Sequence, residues 1–170
     1  MDMRKIVAVC FISLLFAVTS CEREVEPFLG DYSYKLSGEV VLTDADGHVT
    51  YRLIHRNGQM NILEDRNAGN RLLITMNEMN GGCYTMSAIV KGDSLLLEPY
   101  EVNINILTQD GTSIFDSDNE SSLVYRVVSS GSGMLNGKML VLDESWSGHQ
   151  SGNEELTLSG PQMKIIAEKN

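Results

Sequence analysis

The sequence is poor in the residues that most often carry catalytic or metal chemistry. Its 170 residues include three cysteines, three histidines and one tryptophan. The histidines, His48, His55 and His149, are not spaced like a zinc-binding pair, and all three lie beside predicted turns. No serine lies in a G-x-S-x-G motif, and no spacing of carboxylates singles out an acid and a base. We therefore expect surface histidines, no metal site, no cofactor and no enzymatic activity.

Two acidic segments are similar to parts of calcium-binding loops. They read Asp44-x-Asp46-Gly47 and Asp116-x-Asp118-Asn119-Glu120, and neither completes the EF-hand pattern. At 44–47 a hairpin turn explains the residues, because aspartate and glycine favour turns.

Positive charge is also scarce. The chain has 13 lysines and arginines against 23 aspartates and glutamates, a net charge of −10. Such a surface repels nucleic acid and anionic lipid. We therefore expect no nucleic-acid partner.

A long apolar run is missing as well. The longest, Ile6 to Val18, has 13 residues, whereas a spanning helix needs about 20. Arg4 and Lys5 precede it, and small residues follow it. A basic start, a short apolar run and a small-residue exit predict a secretory signal peptide over 1–20.

The exit reads Val18-Thr19-Ser20-Cys21 and resembles the lipobox of bacterial lipoproteins. The resemblance implies cleavage before Cys21 and lipid attachment to its sulfur and its new amine. It also implies an envelope location with a lipid anchor, most simply at the outer membrane, with the periplasmic or surface face left open. Residues 21–28 are predicted to be an extended, mobile acidic tether, similar to that of small Bacteroides-type lipoproteins.

Cys83 has no partner once Cys21 carries lipid, because Cys10 lies in the signal peptide. We expect no disulfide, and we expect Cys83 to be a buried small apolar residue.

From Gly30 onward the apolar residues recur every second position, which predicts strands. Tyr32, Tyr34 and Leu36 begin the first inner face, and Val49, Tyr51 and Leu53 are predicted to form the next. Asn57-Gly58 is the strongest hairpin signal, since a type I′ turn needs positive φ at both central residues. Further turns are expected at 80–82, 91–93, 129–133 and 160–161, and polar loops at 108–122 and 145–153.

Residues 29–170 therefore predict a single all-β domain. About 8–10 short strands joined by short turns indicate an antiparallel up-and-down meander closed into a barrel, with a two-sheet β-sandwich as the alternative. Gly30-Asp31-Tyr32 resembles the Gly-x-Trp start of lipocalins, with tyrosine in place of tryptophan. The resemblance implies a lipocalin-like, or calycin-like, barrel.

Two functions fit this pattern. One is a binding module whose interior takes a small apolar or amphipathic ligand. The other is a structural or accessory envelope protein with a packed barrel and a protein partner. The oligomeric state and the role of 108–122 stay open. Candidate ligand-binding residues are the tyrosines predicted to face inward, with Trp146 on a loop as a lid: Tyr32, Tyr34, Tyr51, Tyr84 and Trp146.

Overall fold

The structure, a computed structural model, describes residues 24–79, 82–107 and 122–170. These residues form one short 3-10 turn, Glu26–Phe28, followed by eight strands. The strands are β1 Gly30–Thr43, β2 Val49–Glu64, β3 Arg71–Glu78, β4 Cys83–Lys91, β5 Ser94–Leu107, β6 Ser122–Asn136, β7 Met139–Gln150 and β8 Asn153–Lys169.

The strands form a closed antiparallel barrel in sequence order. Each strand pairs with the next, and β1 pairs with β8 from Tyr32↔Lys169 to Thr43↔Thr157. Closure removes the two open edges that a meander would otherwise expose. The predicted all-β meander barrel is confirmed with eight strands, and the two-sheet alternative is wrong.

The two ends of the barrel differ. Because the strands alternate in direction, the start of β1, the β2–β3, β4–β5 and β6–β7 turns and the end of β8 share one end, called the base. The β1–β2 and β7–β8 turns share the other end, called the mouth. β3 and β4 are short, and β3 pairs with β2 only from Gly58 to Glu64. The β3–β4 connection therefore lies about halfway up the wall and leaves a notch between the upper parts of β2 and β5.

The segment before β1 closes the base. Val25 and Phe28 are fully buried in the core, and the Tyr32 hydroxyl donates a hydrogen bond to the Phe28 carbonyl at 2.8 Å. The expectation of an extended, mobile tether over 21–28 is therefore wrong for its described part, 24–28. Burial of two large apolar side chains outweighs the freedom of this short segment.

Asn57-Gly58 is not a turn, because β2 runs straight through it. Gly58 pairs with Tyr34 on β1 and with Glu78 on β3. The sequence has a second Asn-Gly pair, Asn136-Gly137. There Asn136 is the last residue of β6, and Gly137, at φ +62°, forms the β6–β7 turn together with Lys138.

The continuity of β2 also reverses the faces predicted for its first half. Met60 and Ile62 face inward, so with a period of two Arg52, Ile54 and Arg56 do as well. Tyr51 and Leu53, predicted to be inside, point outward and are 60% and 58% exposed.

Several other predicted breaks lie within strands. Residues 129–133 belong to β6, 145–150 to β7 and 160–161 to β8. The pairing of β7 with β8 shifts register between Glu144 and Trp146, so Gly160-Pro161 accompanies a bulge rather than a chain reversal. The loop at 108–122 lies outside the described residues except for its last position, where β6 begins, and Asn80 and Gly81 of the predicted 80–82 turn are also outside.

Cys83 is a free cysteine but is exposed at the start of β4. Its burial was predicted wrongly. Tyr84, Met86 and Ala88 take the inward positions of β4, so the alternation turns Cys83 outward.

Gly58 is a position where the fold leaves no room for a side chain. A Cβ atom there would lie 2.0 Å from the Asn77 carbonyl oxygen and 2.9 Å from the Tyr34 ring. We expect Gly58→Ala to lower the free energy of unfolding by about 1–3 kcal/mol, as overpacking of a rigid wall does. Urea denaturation measures the loss. Gly69→Ala is the matched control, because nothing lies within 4 Å of its Cβ position, and a loss of equal size there would contradict the steric explanation.

Candidate functional site

The barrel interior has an apolar lower half. Most of its inward side chains are fully buried and belong to one hydrophobic core between the base and mid-height. They include Met60, Ile62, Leu72, Ile74, Met76, Met86, Leu140, Met163 and Ile165. Two cavities lined by the described residues, one at the side and one at the mouth, both lie above this half.

A belt of polar side chains crosses the interior above this core. Its centre is Glu144 on β7, which is 3% exposed. One carboxylate oxygen, Oε2, accepts hydrogen bonds from Trp146 Nε1 at 2.9 Å and from Tyr100 Oη and Ser129 Oγ at 3.1 Å each. Three donors from three strands therefore converge on one buried oxygen.

Burial raises the pKa of Glu144, although the hydrogen bonds from Trp146, Tyr100 and Ser129 lower it in part. Removal from water disfavours the charged form of a carboxyl group. Within the described part of the chain, Oε1 has no hydrogen-bond partner.

An ion pair forms the other side of the belt. Arg56 Nη1 of β2 lies 2.9 Å from Glu78 Oε1 of β3, and the two side chains are only 7% and 6% exposed. Arg56 Nη2 also lies 3.5 Å from the Asn105 carbonyl oxygen of β5. Arg56 thus bridges the two strands that flank the notch.

Tyr84 and Tyr100 connect the two halves of the belt. Their rings stack with centroids 5.8 Å apart and planes 12° from parallel. Burial raises the pKa of both phenols, and the neighbouring Glu144 carboxyl raises each further. Both tyrosines therefore stay protonated and act as hydrogen-bond groups rather than as bases.

The notch opens onto this belt from the side. It holds a cavity of about 280 Å³ lined by Arg56, Glu78 and Tyr84 on its inner side. Cys83 and Glu101 lie at its outer edge. This side opening is a consequence of the short β3–β4 hairpin.

A second cavity lies at the mouth and measures about 200 Å³. Apolar side chains form most of its wall: Leu42, Ile106, Leu123, Tyr125 and Leu156. Thr50 and Arg52 of β2 contribute polar groups, and Asp44 and His48 lie at its rim. An apolar wall with one inward-facing guanidinium group suits a small amphipathic molecule.

The structure separates the predicted ligand-binding residues. Tyr32 is fully buried at the base, where it is bonded to Phe28, and Tyr51 lies outside the barrel. Tyr34 and Tyr84 do face the belt. Burial raises the pKa of Tyr34, and no hydrogen-bond partner for its hydroxyl is found among the residues that the structure covers.

Trp146 is not a lid. It lies inside β7, is 4% exposed and donates its indole N–H to Glu144. The polar residues around it led to the loop prediction, but Ser145 and Ser147 simply occupy the outward positions of the strand. None of the residues that line the mouth cavity was predicted as a ligand-binding residue.

The predicted turn at 44–47 is present. Asp44 Oδ1 accepts hydrogen bonds from the backbone N–H groups of Asp46 and His48, and Gly47 adopts φ +82°. The side chains of Asp44, Asp46 and His48 offer ligand atoms within 4.8 Å of one another. The turn alone explains this cluster, and the acidic segment 116–120 lies outside the described residues.

The other two histidines differ in exposure. His55 is exposed as predicted, while His149 on β7 is half-buried. Neither belongs to a group of potential metal ligands within the described ranges.

Comparison with known proteins finds little. No family model matches the chain, and no curated protein matches it. One solved structure, described as EF1p2_mFAP2b bound to DFHBI, is similar with 12% identity and a TM-score of 0.41, covering 89% of this chain and all of that one. A likeness at this level says nothing about what the present chain binds. No helix in the described ranges is long and apolar enough to cross a membrane.

Proposed function

We propose that this protein is a lipid-anchored envelope protein whose barrel binds a small amphipathic ligand at its mouth. The observation that carries the binding proposal is the mouth cavity, with its leucine-rich wall and the inward-facing Arg52. Its volume of about 200 Å³ is below the range of about 300–1,000 Å³ that drug-sized ligands occupy. The ligand is therefore small, or it leaves its head outside.

The anchor proposal rests on the sequence. Val18-Thr19-Ser20-Cys21 has the form of a lipobox, and it follows a short apolar run. Lipid on Cys21 places the protein in the cell envelope, at the outer membrane. The Gly30-Asp31-Tyr32 start makes the barrel lipocalin-like, and the small Bacteroides-type lipoproteins are the group that it most resembles.

The chemistry of the cavity decides which part of the ligand goes where. The apolar part lies against Leu42, Leu123 and Leu156, where it displaces water from apolar surface. The polar head lies near Arg52, whose guanidinium group favours an anionic oxygen. A molecule with one short apolar body and one acidic group satisfies both.

An anionic dye with an aromatic body, 1-anilinonaphthalene-8-sulfonate, is a suitable probe. We expect saturable binding to the folded protein, measured by fluorescence titration. Leu156→Asp should weaken binding at least about tenfold, because it places a charged carboxylate against the apolar body of the dye. A tenfold loss of affinity corresponds to about 1.4 kcal/mol.

Leu53→Asp is the matched control, because it adds the same charge on the outer face of β2. This variant should bind the dye as the unmodified protein does. Absence of saturable binding, or an equal loss in both variants, would rule out the mouth site.

The anchor is tested separately. Expressed with its signal in a bacterium, the protein should partition into a detergent phase, and Cys21→Ala should release it or block its processing. A processed protein that stays entirely in the aqueous phase would contradict the anchor.

A protein-binding role is the second candidate. The observation that favours it is a set of exposed apolar side chains, Val49, Tyr51 and Leu53, on the outer face of β2. They lie where β2 has no described pairing with β3, and a strand edge with exposed apolar groups invites a partner. Loss of dye binding in Leu53→Asp but not in Leu156→Asp would favour this role.

A further inference from the structure

Exposed apolar side chains form a ring around the base of the barrel. Six large ones belong to six different strands, and each is within three residues of the base end of its strand. Their exposed fractions range from 37% to 59%. We call this set the base girdle: Leu63, Leu73, Leu96, Met134, Met139 and Ile166.

The girdle residues follow from the alternation of the strands. Each is next to an inward core residue, so each points away from the core. Leu63 and Leu73 are direct cross-strand partners. Met134 and Ile166 are both paired with Val141, from its two sides. The girdle therefore contains continuous apolar patches rather than isolated residues.

Charged residues of both signs accompany the girdle at the base. Arg66, Lys91 and Lys138 lie in or beside the three base turns, together with the acidic Glu64, Asp65 and Asp93. The two mouth turns differ, because 44–48 and 151–152 contain Asp44 and Asp46 but no lysine or arginine. The base thus combines exposed apolar groups with charges of both signs, whereas the mouth turns have no cation from lysine or arginine.

The chain itself leads from the base toward the predicted anchor. From Val25 onward it is held to the barrel, and Lys169 Nζ donates a hydrogen bond to the Pro27 carbonyl at 3.2 Å. Only four residue steps separate Val25 from Cys21. They span at most about 14 Å even when fully extended.

The mouth is much farther away. The 14 residues of β1 rise about 3.3 Å each, and a strand tilt of about 40° leaves a height of roughly 35 Å. An anchor on Cys21 therefore keeps the base near the membrane.

We propose that the base girdle docks on the surface of the lipid bilayer that holds Cys21, so that the mouth cavity faces away from the membrane. This inference rests on the proposed lipid anchor. The bilayer is the occupant that the girdle fits, because the anchored chain emerges at the same end and the exposed apolar side chains there can be buried at the boundary between headgroups and acyl chains.

The test uses the full-length lipoprotein with Cys83→Ser, so that one added cysteine carries an environment-sensitive fluorophore. The label is placed at Met139→Cys in the girdle or at Glu154→Cys near the mouth. Each protein is reconstituted into vesicles of phosphatidylethanolamine and phosphatidylglycerol that contain a spin-labelled lipid as quencher. We expect quenching at position 139 and none at position 154.

Two variants separate the girdle from the tether. A Gly/Ser insertion of about 15 residues between Glu24 and Val25 adds a reach of roughly 20 Å, and quenching at position 139 should survive it. With the same insertion, replacing Leu63, Met134 and Ile166 by glutamine should reduce that quenching to the level at position 154. Circular dichroism checks that the variants keep the fold.

The outcomes are distinguishable. Equal quenching at the two positions in vesicle-bound protein overturns the orientation and leaves the anchor intact. Full quenching in the glutamine variant overturns the role of the girdle. A mature protein that does not float with the vesicles overturns the anchor and this inference together.

Discussion

Replacing Glu78 by alanine is expected to lower the free energy of unfolding by about 3–5 kcal/mol, measured by urea denaturation. The variant leaves the Arg56 guanidinium group in the barrel wall without the carboxylate that lies 2.9 Å from it. Removing one partner of a buried pair is costly, because the remaining charge loses its counter-ion without regaining full hydration.

Two further variants identify the cause of this loss. Arg56→Met combined with Glu78→Met removes both charges, and we expect it to recover most of the stability, because no charge is then stranded. Asp143→Ala breaks the exposed pair with Lys164, in which the side chains are 67% and 53% exposed, and should cost less than about 1 kcal/mol. A Glu78→Ala loss no larger than that of Asp143→Ala would show that water screens the Arg56–Glu78 pair.

Glu144→Ala should be the second severe change, with a loss of about 3–4 kcal/mol. It removes the acceptor shared by Tyr100, Ser129 and Trp146, and a buried donor without an acceptor costs about 1–3 kcal/mol. Asp143→Ala is again the control, because Asp143 is next in sequence but points outward. A small loss in Glu144→Ala would mean that the three donors find other acceptors.

Glu144→Gln tests the protonation state of the same residue. Burial raises the pKa of Glu144 in the folded protein above the unfolded value of about 4.3. Protonation of Glu144 therefore contributes to the free energy of unfolding. This contribution is fully present below about pH 4.3 and is lost as the pH rises through the pKa of Glu144 in the folded protein. Glutamine does not titrate, so the variant should gain stability relative to the unmodified protein as the pH rises.

Urea denaturation at about pH 4 and about pH 8 measures this difference. The comparison between the two proteins cancels the titration of all other groups. A difference between them that stays constant across this range would mean that Glu144 has the same pKa in the folded and unfolded chains.

Local sequence pattern was sufficient for the class of fold. Alternation with a period of two and frequent turn residues predicted an antiparallel meander barrel, and the structure has one. This works because alternation of side chains across a strand is a property of the backbone alone. The turn at 44–47 was predictable for the same local reason, since Asp44 bonds to backbone groups within its own turn.

The two Asn-Gly pairs show that a dipeptide alone does not predict whether the chain turns. Gly137 of the second pair lies in the two-residue turn that follows Asn136, whereas Asn57-Gly58 lies inside β2, where Gly58 has strands on both sides. The dipeptide permits a type I′ turn but does not require one. At Gly58 the close approach of Tyr34 and Asn77 leaves no room for a side chain, so this glycine serves packing and not a turn.

The inward position of Arg56 in the polar belt follows from the continuity of β2. A turn at 57–58 would have allowed the residues before it to alternate differently from those after it. Because β2 is continuous, Arg52 and Arg56 lie on the same inward face as Met60 and Ile62, and Tyr51 points outward. Arg56, Glu78 and Glu144 read as solvated charges in the sequence because burial of a charge depends on partners from distant strands. Composition and alternation alone were sufficient to predict an anionic all-β chain with the pattern of a barrel. Which charges lie inside the barrel depends on strand register, and only the closed barrel specifies that register.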